Sequence, residues 1–247
     1  MSNSKIFLFV AFLSVILASS DTYHFRRVPE TLELLTHKPV SIKADQDWAN
    51  LARYAASDAI LSKLPAGTNQ VIFMGDSITD GWNLGQYFPG KPYVNRGISG
   101  QTTPQMLVRF RPDLINLQPN VTVILAGTND IAGNTGHQPA AFIEGNLMNM
   151  AEIARAHGIK VIMASLLPVC GSIVQGRPPK EILKINFFIK DYCERTGCIY
   201  LDYFSAMVGA NGLLRPELTG DCLHPNAAGY NIMAPLAQAA INKALQN

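Results

Sequence analysis

The sequence predicts an α/β domain in which a parallel sheet of five strands lies between two layers of helices. Five short apolar runs follow one another along the chain, and stretches with helical spacing of apolar residues fill most of the gaps between them. Strands that alternate with helices are joined by right-handed crossovers, which produce parallel pairing and a sheet covered on both faces. The strongest runs are apolar throughout, as strands buried on both faces are. We therefore expect a three-layer α/β/α sandwich.

The predicted elements occupy regular intervals along the chain. Strands are expected at residues 70–75 (QVIFMG), 93–97 (YVNRG), 121–127 (VTVILAG), 160–168 (KVIMASLLP) and 198–204 (CIYLDYF). Helical patterns cover residues 48–64, 103–117, 139–157, 179–196 and 226–246. Gly67 and Gly158 follow the first and third of these helices, where glycine commonly ends a helix.

The composition fits one globular domain. The chain has 247 residues, of which 48% are hydrophobic and 15% are charged, and no internal repeat is visible. A chain of this length can bury a sizeable core, and it suits one domain better than two. The formal net charge is +2. Such a balance gives no electrostatic reason to expect nucleic acid or an anionic membrane as a partner.

Residues 1–20 are predicted to be a cleaved secretory signal peptide. Lys5 precedes a mostly apolar stretch that is shorter than the roughly 20 residues a membrane-spanning helix needs. Small residues follow it, and cleavage is expected after Ser20. An uncleaved N-terminal anchor is the alternative, while the lack of a cysteine near the cut argues against a lipoprotein anchor.

This interpretation sets the expected domain organisation and location. The mature protein is a single domain over residues 21–247, in which residues 21–66 form an arm and a helix ahead of the core. We expect it to be secreted or periplasmic, without stable membrane insertion after cleavage of the signal peptide.

An exported chain permits disulfides between its four cysteines. Cys193 and Cys198 are close in sequence at a predicted helix-to-strand turn, so this pair is favoured. Cys170 and Cys222 would then pair with each other or remain free. The spacing of the four matches no common zinc pattern, and no metal site is predicted.

Polar residues and glycines follow the predicted strands at their carboxyl ends, where parallel α/β sheets gather their functional groups. Ser77 follows the first strand in GDSITDGW, and Gly100 follows the second in NRGISGQTT. Asn129 follows the third in AGTND. Asp221 and His224 lie in GDCLHPN, just ahead of the last predicted helix. Segments far apart in sequence would thus meet at one edge of the sheet.

These residue types fit acyl transfer. A serine hydroxyl attacks an ester only when a neighbouring base takes its proton, and histidine titrates near neutrality. A carboxylate on the other ring nitrogen fixes the tautomer. Ser77, His224 and Asp221 are the predicted nucleophile, base and orienting acid. The N–H groups of Ser77 and Gly100 and the amide of Asn129 are the predicted oxyanion hole, where losing one donor costs on the order of 3 kcal/mol.

Each residue also has a structural interpretation. Ser77 or Asp76 could cap the helix after the first strand, and Gly100 could simply turn the chain. Asn129 could form a local Asx turn, and its neighbour Asp130 is assigned to structure. The coincidence of all the elements at one edge of the sheet favours the catalytic interpretation. A G-x-S-x-G nucleophile elbow is absent, because the second glycine is missing, and no nucleotide-binding glycine motif follows a strand.

The motifs resemble those of the SGNH hydrolase superfamily, also called the GDSL esterase/lipase family. Four blocks match in order: GDSI at residues 75–78, NRGISGQTT with Gly100, AGTND with Asn129, and DCLHP with Asp221 and His224. Ile78 stands where the family motif has leucine, an apolar substitution that leaves the chemistry intact. The resemblance runs from about Val71 to the C-terminal helix.

The resemblance implies a flavodoxin-like sheet of five parallel strands, a Ser-His-Asp triad and hydrolysis of carboxylic esters without metal or cofactor. The chain is most similar to compact members that favour short acyl groups, so O-acetyl groups on carbohydrates, small or polymeric, are the expected substrates. Loops at residues 135–139 and 169–179 are the predicted pocket walls. His137, Ile173 and Val174 are the predicted substrate contacts. The alternative is that they are exposed loop residues that contact no ligand.

Two other functions stay open at this point. A lysophospholipase, thioesterase or lipolytic esterase that prefers longer acyl chains would use the same triad with different pockets. A catalytically silent glycan-binding protein of the same fold is the more distant alternative. Such a protein would have no chemical need for all five site residues, and this chain has all of them. The oligomeric state is also open.

Overall fold

A computed structural model of the chain describes residues 46–68 and 71–246. The predicted signal peptide and residues 21–45 of the predicted arm lie outside these residues. Within them, a fully parallel sheet has the strand order β2-β1-β3-β4-β5. Its strands are β1 (Val71–Gly75), β2 (Tyr93–Gly97), β3 (Val121–Leu125), β4 (Lys160–Ala164) and β5 (Ile199–Leu201). The predicted five-stranded parallel sheet is therefore confirmed.

Helices alternate with the strands along the chain. They are α1 (Ala52–Leu61), α2 (Ser77–Asp80), α3 (Leu84–Tyr87), α4 (Thr103–Asp113), α5 (Thr128–Ile131), α6 (Ala140–Ala156), α7 (Pro179–Thr196), α8 (Phe204–Met207) and α9 (Ala227–Gln246). Short 3₁₀ turns lie at Ile115–Leu117, Gly171–Gln175 and Pro216–Leu218. All five predicted helical regions are observed, whereas the single turns α3, α5 and α8 are too short to give a periodic pattern. In the described part of the chain, no helix has the length and apolar character that crossing a membrane requires.

Two strands end earlier than the apolar pattern predicts. After β3, Gly127 has a φ of +127°, which turns the backbone out of the strand. After β4, the amide of Asn186 on α7 bonds both backbone groups of Leu166, at 2.7 Å to its N–H and 3.0 Å to its carbonyl. The residues beyond β4 stay buried, so their apolar run continues although their backbone has left the sheet.

The register of the sheet brings the carboxyl ends of three strands to the same level. Gly75, the last residue of β1, pairs with Gly97 at the end of β2 and with Leu125 at the end of β3. A Cβ atom on Gly97 would overlap the backbone of Asp80, so glycine allows α2 to pack directly on β2. The segments that follow β1, β2 and β3 therefore begin side by side.

Helix α9 carries the C-terminal segment to the same edge of the sheet. The Tyr230 hydroxyl donates a hydrogen bond to the carbonyl of Ile78 in α2 at 2.8 Å. The Tyr230 ring also stacks on Trp82, with ring centroids 5.2 Å apart and an interplanar angle of 27°. Both rings are buried. This docking places the loop before α9 beside α2, although the two are far apart in sequence.

The favoured disulfide pairing is wrong. Cys170 and Cys222 form the disulfide, and Cys193 and Cys198 are free. Cys193 lies on the buried face of α7, where its thiol bonds to the backbone of Met163 and burial raises its pKa to about 12. Closeness in sequence therefore does not make this pair a disulfide, because the helix directs Cys193 into the core. The observed bond ties the loop before the 3₁₀ turn at Gly171–Gln175 to the loop before α9.

Replacing both Cys170 and Cys222 by serine is expected to lower the free energy of unfolding. The bond closes a loop of 52 residues, for which chain entropy predicts a loss of about 4 kcal/mol. Guanidinium unfolding without reductant measures the change. Cys198→Ser is the control: Cys198 is free and only half-buried, and its substitution is expected to cost less than about 1 kcal/mol. Equal unfolding curves for the double variant and the unchanged protein would contradict this prediction.

Candidate active site

Ser77 opens α2 immediately after β1, and its hydroxyl does not cap that helix. The cap is Asp76, whose carboxylate accepts the N–H of Ile78 at 3.0 Å. Asp76 is fully buried, whereas Ser77 is half-buried. Asp76 rather than Ser77 therefore caps α2, and the Ser77 hydroxyl is available to another partner.

That partner is His224. The Nε2 atom of His224 lies 2.8 Å from Ser77 Oγ, and Nδ1 lies 2.6 Å from Asp221 Oδ2. With the Nδ1 proton directed at the carboxylate, Nε2 is left as the acceptor for the serine hydroxyl. The His224 and Asp221 side chains are 39% and 55% exposed, so a ligand can reach them from solvent. Serine, imidazole and carboxylate form one unbroken hydrogen-bonded chain.

The loop before α9 holds the carboxylate of Asp221 in place. Its Oδ1 accepts the backbone N–H groups of Leu223 at 3.0 Å and His224 at 2.7 Å, and the Thr219 hydroxyl lies 3.3 Å away. Partial desolvation alone would raise the pKa of Asp221, but the hydrogen bonds from His224 and Leu223 lower it well below its ordinary value. Asp221 is therefore ionised at neutral pH. Thr219, which no motif indicated, also donates to the His224 carbonyl at 2.8 Å.

Three candidate donors lie on neighbouring segments that follow β1, β2 and β3. The backbone N–H groups of Ser77 and Gly100 have no acceptor among the described residues. Gly100 has a φ of +79°, a conformation that favours glycine. The Asn129 amide donates to the carbonyl of Gln101 at 3.0 Å, which holds its side chain beside the loop that contains Gly100. Gly100, Asn129 and Ser77 thus lie on the adjoining segments after β2, β3 and β1.

Arg177 is a site residue that the sequence analysis missed. Its guanidinium donates to the side-chain oxygen of Asn129 at 3.0 Å and to the Thr128 hydroxyl at 3.1 Å. Burial lowers the pKa of Arg177, and the carboxylate of Asp76 acts in the opposite direction. Arginine stays protonated in proteins, so a half-buried positive charge lies against the Asn129 amide. A lone arginine in an irregular loop has no spacing that would mark it in the sequence.

The structure separates the three predicted substrate contacts. His137 lines a cavity of about 570 Å³ together with residues of α5, α6 and α7. Ile173 and Val174 are half-buried and pack against the hydrophobic core. Their contact with substrate stays a prediction.

Asp130 has the structural role that the sequence analysis assigned to it. Its carboxylate accepts the Thr103 N–H at 3.0 Å and the Thr103 hydroxyl at 2.6 Å, at the beginning of α4. In the part of the chain that the structure describes, no group of three or more His, Cys, Asp or Glu side chains could hold a metal ion.

Comparison with known proteins identifies the family. The sequence profile of the GDSL-like lipase/acylhydrolase family matches residues 73–232. The chain belongs to this family. The match begins within β1, which precedes Ser77, and includes the loop that contains His224. It confirms the predicted membership of the SGNH hydrolase superfamily. Family membership also confirms the predicted class of ester hydrolase.

Solved structures of similar proteins support the assignment. A candidate acylhydrolase from Bacteroides fragilis is 43% identical, with a TM-score of 0.75 over 80% of this chain and 98% of that one. A GDSL-like lipase from Bacteroides thetaiotaomicron is 42% identical, with a TM-score of 0.75 over 79% and 98%. The uncharacterized lipoprotein YqeF of Bacillus subtilis is 33% identical over 123 residues, which are 42% of this chain but only 50% of that protein.

The buried carboxyl of Asp76 predicts a pH-dependent contribution to stability. Desolvation raises its pKa from 3.8 to about 6, because the hydrogen bond from Ile78 does not offset burial of the charge. The folded state therefore holds a proton that the unfolded state releases, and its stability falls as pH rises through this range. The rise in pKa corresponds to about 3 kcal/mol.

We expect Asp76→Asn to lose this dependence, because asparagine keeps the capping oxygen but cannot ionise. Denaturant unfolding at pH 4, 5, 6 and 7 measures the free energy of unfolding of both proteins. The unchanged protein should lose stability relative to Asp76→Asn as pH rises from 4 to 6. Parallel curves across this range would show that Asp76 does not titrate there.

Proposed function

We propose that this protein is a serine esterase that hydrolyses short-chain carboxylic esters, above all O-acetyl groups on carbohydrates. The observation that carries the proposal is the chain of hydrogen bonds from Ser77 Oγ through the His224 ring to Asp221, at 2.8 and 2.6 Å. The distances lie within the range that proton transfer between a nucleophile and its base requires.

In the proposed mechanism, Ser77 Oγ attacks the ester carbonyl while its proton moves to His224 Nε2. The carbonyl oxygen becomes an oxyanion, and the imidazolium is stabilised by the ionised Asp221. When the tetrahedral intermediate collapses, the bond from the acyl carbon to the alcohol oxygen breaks, and His224 gives its proton to that oxygen. Water then attacks the acyl-serine with His224 again as base, which releases the carboxylic acid and restores Ser77.

The oxyanion is stabilised, in this proposal, by the N–H groups of Ser77 and Gly100 and the amide of Asn129. Such donors act most strongly when they are already oriented before the reaction. Gln101 orients the Asn129 side chain by accepting from its NH₂ group, and Arg177 orients it by donating to its oxygen. The arginine also polarises the amide, which strengthens Asn129 as a donor. We therefore assign Arg177 as a positioning residue that acts through Asn129.

The cavity beside α5 supports a short acyl group and a polar substrate. Its lining includes Ile131, two residues after Asn129, and Gly176 and Pro178 on either side of Arg177. Apolar side chains such as Ile143 and Ile185 share this lining with polar ones, namely His137, Gln138, Gln175, Lys180, Glu181 and Lys184. Such a mixed surface suits a short acyl group on a polar substrate, since a long acyl chain needs a continuous apolar channel.

We also propose that the protein acts outside the cytoplasm. The N-terminal pattern of residues 1–20 supports export. The related protein of Bacillus subtilis is named a lipoprotein, which agrees with export of the relative. An exported esterase can reach polysaccharide substrates that the cell does not take up.

Hydrolysis of p-nitrophenyl esters from acetate to palmitate tests the proposal. We expect the highest kcat/KM at acetate and a loss of at least a thousandfold in kcat for Ser77→Ala, because the nucleophile is removed. Circular dichroism checks that the variant is folded. An optimum at eight carbons or more would favour the lipolytic alternative with the same triad. Equal activity of the variant would remove Ser77 from the mechanism.

Asn129→Ala is expected to lower kcat by roughly a hundredfold with little change in KM, because an oxyanion donor acts in the transition state. Arg177→Ala should lower kcat about tenfold alone but less than threefold when Asn129 is already alanine, since it acts through that residue. Arg177→Lys should recover part of the loss.

Arg215→Ala is the matched control, since Arg215 is a half-buried arginine whose guanidinium donates to the Ala206 carbonyl. It is expected to leave kcat within twofold of the unchanged protein. If the effects of Asn129→Ala and Arg177→Ala simply multiply, Arg177 does not act through Asn129.

A further inference from the structure

We propose that a cavity beside the loop of Gly100 binds a sugar residue of the substrate, with the Trp48 side chain as its stacking surface. This inference rests on the proposed function and deepens it, because it names the part of a carbohydrate ester that lies next to the reacting group. The cavity has a volume of about 360 Å³ and is lined by Trp48, Asn50, Ser99, Gly100 and Gln105, among others. This volume lies at the lower end of small-molecule sites.

Trp48 is an exposed aromatic residue in a polar hollow. It keeps 54% of its surface exposed, whereas Trp82, the second tryptophan of the chain, keeps only 3%. A single exposed aromatic residue on a smooth surface would need no explanation. Trp48, however, forms part of a cavity wall beside a proposed oxyanion donor. The face of an indole ring is electronegative and attracts the C–H groups on the apolar face of a sugar ring.

The rest of the lining fits a neutral ligand rich in hydroxyl groups. Asn50 and Ser99 are exposed, and the Asn50 amide can both donate and accept hydrogen bonds. The Ser99 hydroxyl donates its proton to Asp80 at 2.7 Å and can still accept a hydrogen bond from a ligand. Asp47 is the one acidic residue of the lining, and its two carboxylate oxygens accept the N–H groups of Leu51 and Ala52 at 2.7 and 2.8 Å. Its charge is thereby engaged with the first turn of α1. Since no lysine or arginine is among the described residues of the lining, a phosphate would find no matching charge here.

The segment that carries Trp48 is held rigidly against the loop of Gly100. Gln105 donates to the Trp48 carbonyl and Gln101 donates to the Ala49 carbonyl, each at 2.7 Å. Gln101 directly follows Gly100, and Ala49 is buried. A segment that is positioned before binding loses little conformational entropy when the ligand arrives. The backbone of Trp48 is therefore in place beforehand, and only its side-chain rotamer is left to be ordered.

Gly100 connects this cavity with the proposed catalytic centre. It lines the cavity, and its N–H, which has no acceptor among the described residues, is one of the proposed oxyanion donors. A sugar ring against Trp48 is thus adjacent to the ester carbonyl that Ser77 attacks. The geometry fits an oligosaccharide whose acetylated residue lies at Ser77 and whose neighbouring residue lies on Trp48.

Tryptophan fluorescence tests the binding directly. The folded Ser77→Ala variant is titrated with unacetylated cellohexaose, xylohexaose and mannohexaose, so that no turnover occurs. Iodide quenches the exposed Trp48 and barely reaches the buried Trp82, so quenching reports on the proposed site. We expect at least one hexasaccharide to reduce the quenching constant at least twofold. Trp48→Phe, which leaves only Trp82 to fluoresce, gives the background quenching.

Kinetics test whether the cavity serves catalysis. For the hexasaccharide that binds, we compare kcat/KM on its O-acetylated form with kcat/KM on p-nitrophenyl acetate, which has no sugar. The ratio should fall at least tenfold in Trp48→Ala, mainly through KM, and should recover to within threefold in Trp48→Phe. Phe187→Ala is the control, because Phe187 is an aromatic residue of α7 with 76% exposure. It should leave the ratio unchanged.

Three results would overturn the inference. The first is that no hexasaccharide protects Trp48 from iodide, and the second is that phosphatidylcholine vesicles protect it instead, which would make it a lipid contact. The third is that the ratio stays constant in Trp48→Ala. Hydrolysis of p-nitrophenyl acetate that depends on Ser77 reports separately on the esterase itself. If that activity is present and protection is absent, only the sugar site fails.

Discussion

Arg109 joins three segments of the chain through one guanidinium that is completely buried. It donates to the carbonyl of Gly75 at the end of β1 at 3.0 Å, to the Gln101 side chain at 2.5 Å, and to Asp113 at 2.8 Å. A buried charge is tolerated only when its hydrogen-bonding groups are satisfied. Removing one partner of a buried ion pair costs about 3–5 kcal/mol, so this arrangement contributes an amount of that order to the free energy of unfolding. The distance between the end of β1 and the loop of Gly100 is thereby set from inside the domain.

The same loop is held from the other side by α1. Asp58 on α1 pairs with Arg96 on β2 in a second buried ion pair, and the Arg96 guanidinium lies 4.5 Å from the centre of the Tyr54 ring. The Tyr54 hydroxyl donates to the carbonyl of Gly97 at 2.5 Å. The helix that precedes the core is therefore part of the site's support. It carries Trp48 on its N-terminal side, which explains why a segment without a family motif lies close to the proposed reaction.

The electrostatics of the site follow from unequal burial of its carboxyls. Asp76 is enclosed by protein, and burial raises its pKa, whereas Asp221 lies in an exposed loop whose N–H groups and histidine lower its pKa. The exposed carboxylate can therefore stabilise a positive imidazole at neutral pH, while the buried one contributes mainly to the shape of the turn that holds Ser77. Arg177 adds a positive charge against Asn129. In the proposed mechanism, the charges of Asp221 and Arg177 are opposite in sign to those that develop on the imidazole and on the carbonyl oxygen.

The sequence by itself determined the order of strands and helices along the chain, the parallel sheet and five candidate site residues, of which four are polar and one is Gly100. Apolar runs, helical periodicity and motifs are local properties, so neighbouring residues were enough to predict them. Only the tertiary structure decided that Asp76 and not Ser77 caps α2, that Cys170 pairs with Cys222, and that the strand β4 ends where Asn186 takes its backbone partners. It also brought Arg177 to Asn129 and Trp48 to Gly100. Apart from the Asp76 cap, these contacts join segments that are at least 20 residues apart in sequence. Their partners follow from how helices and loops pack on the sheet, which no local pattern encodes.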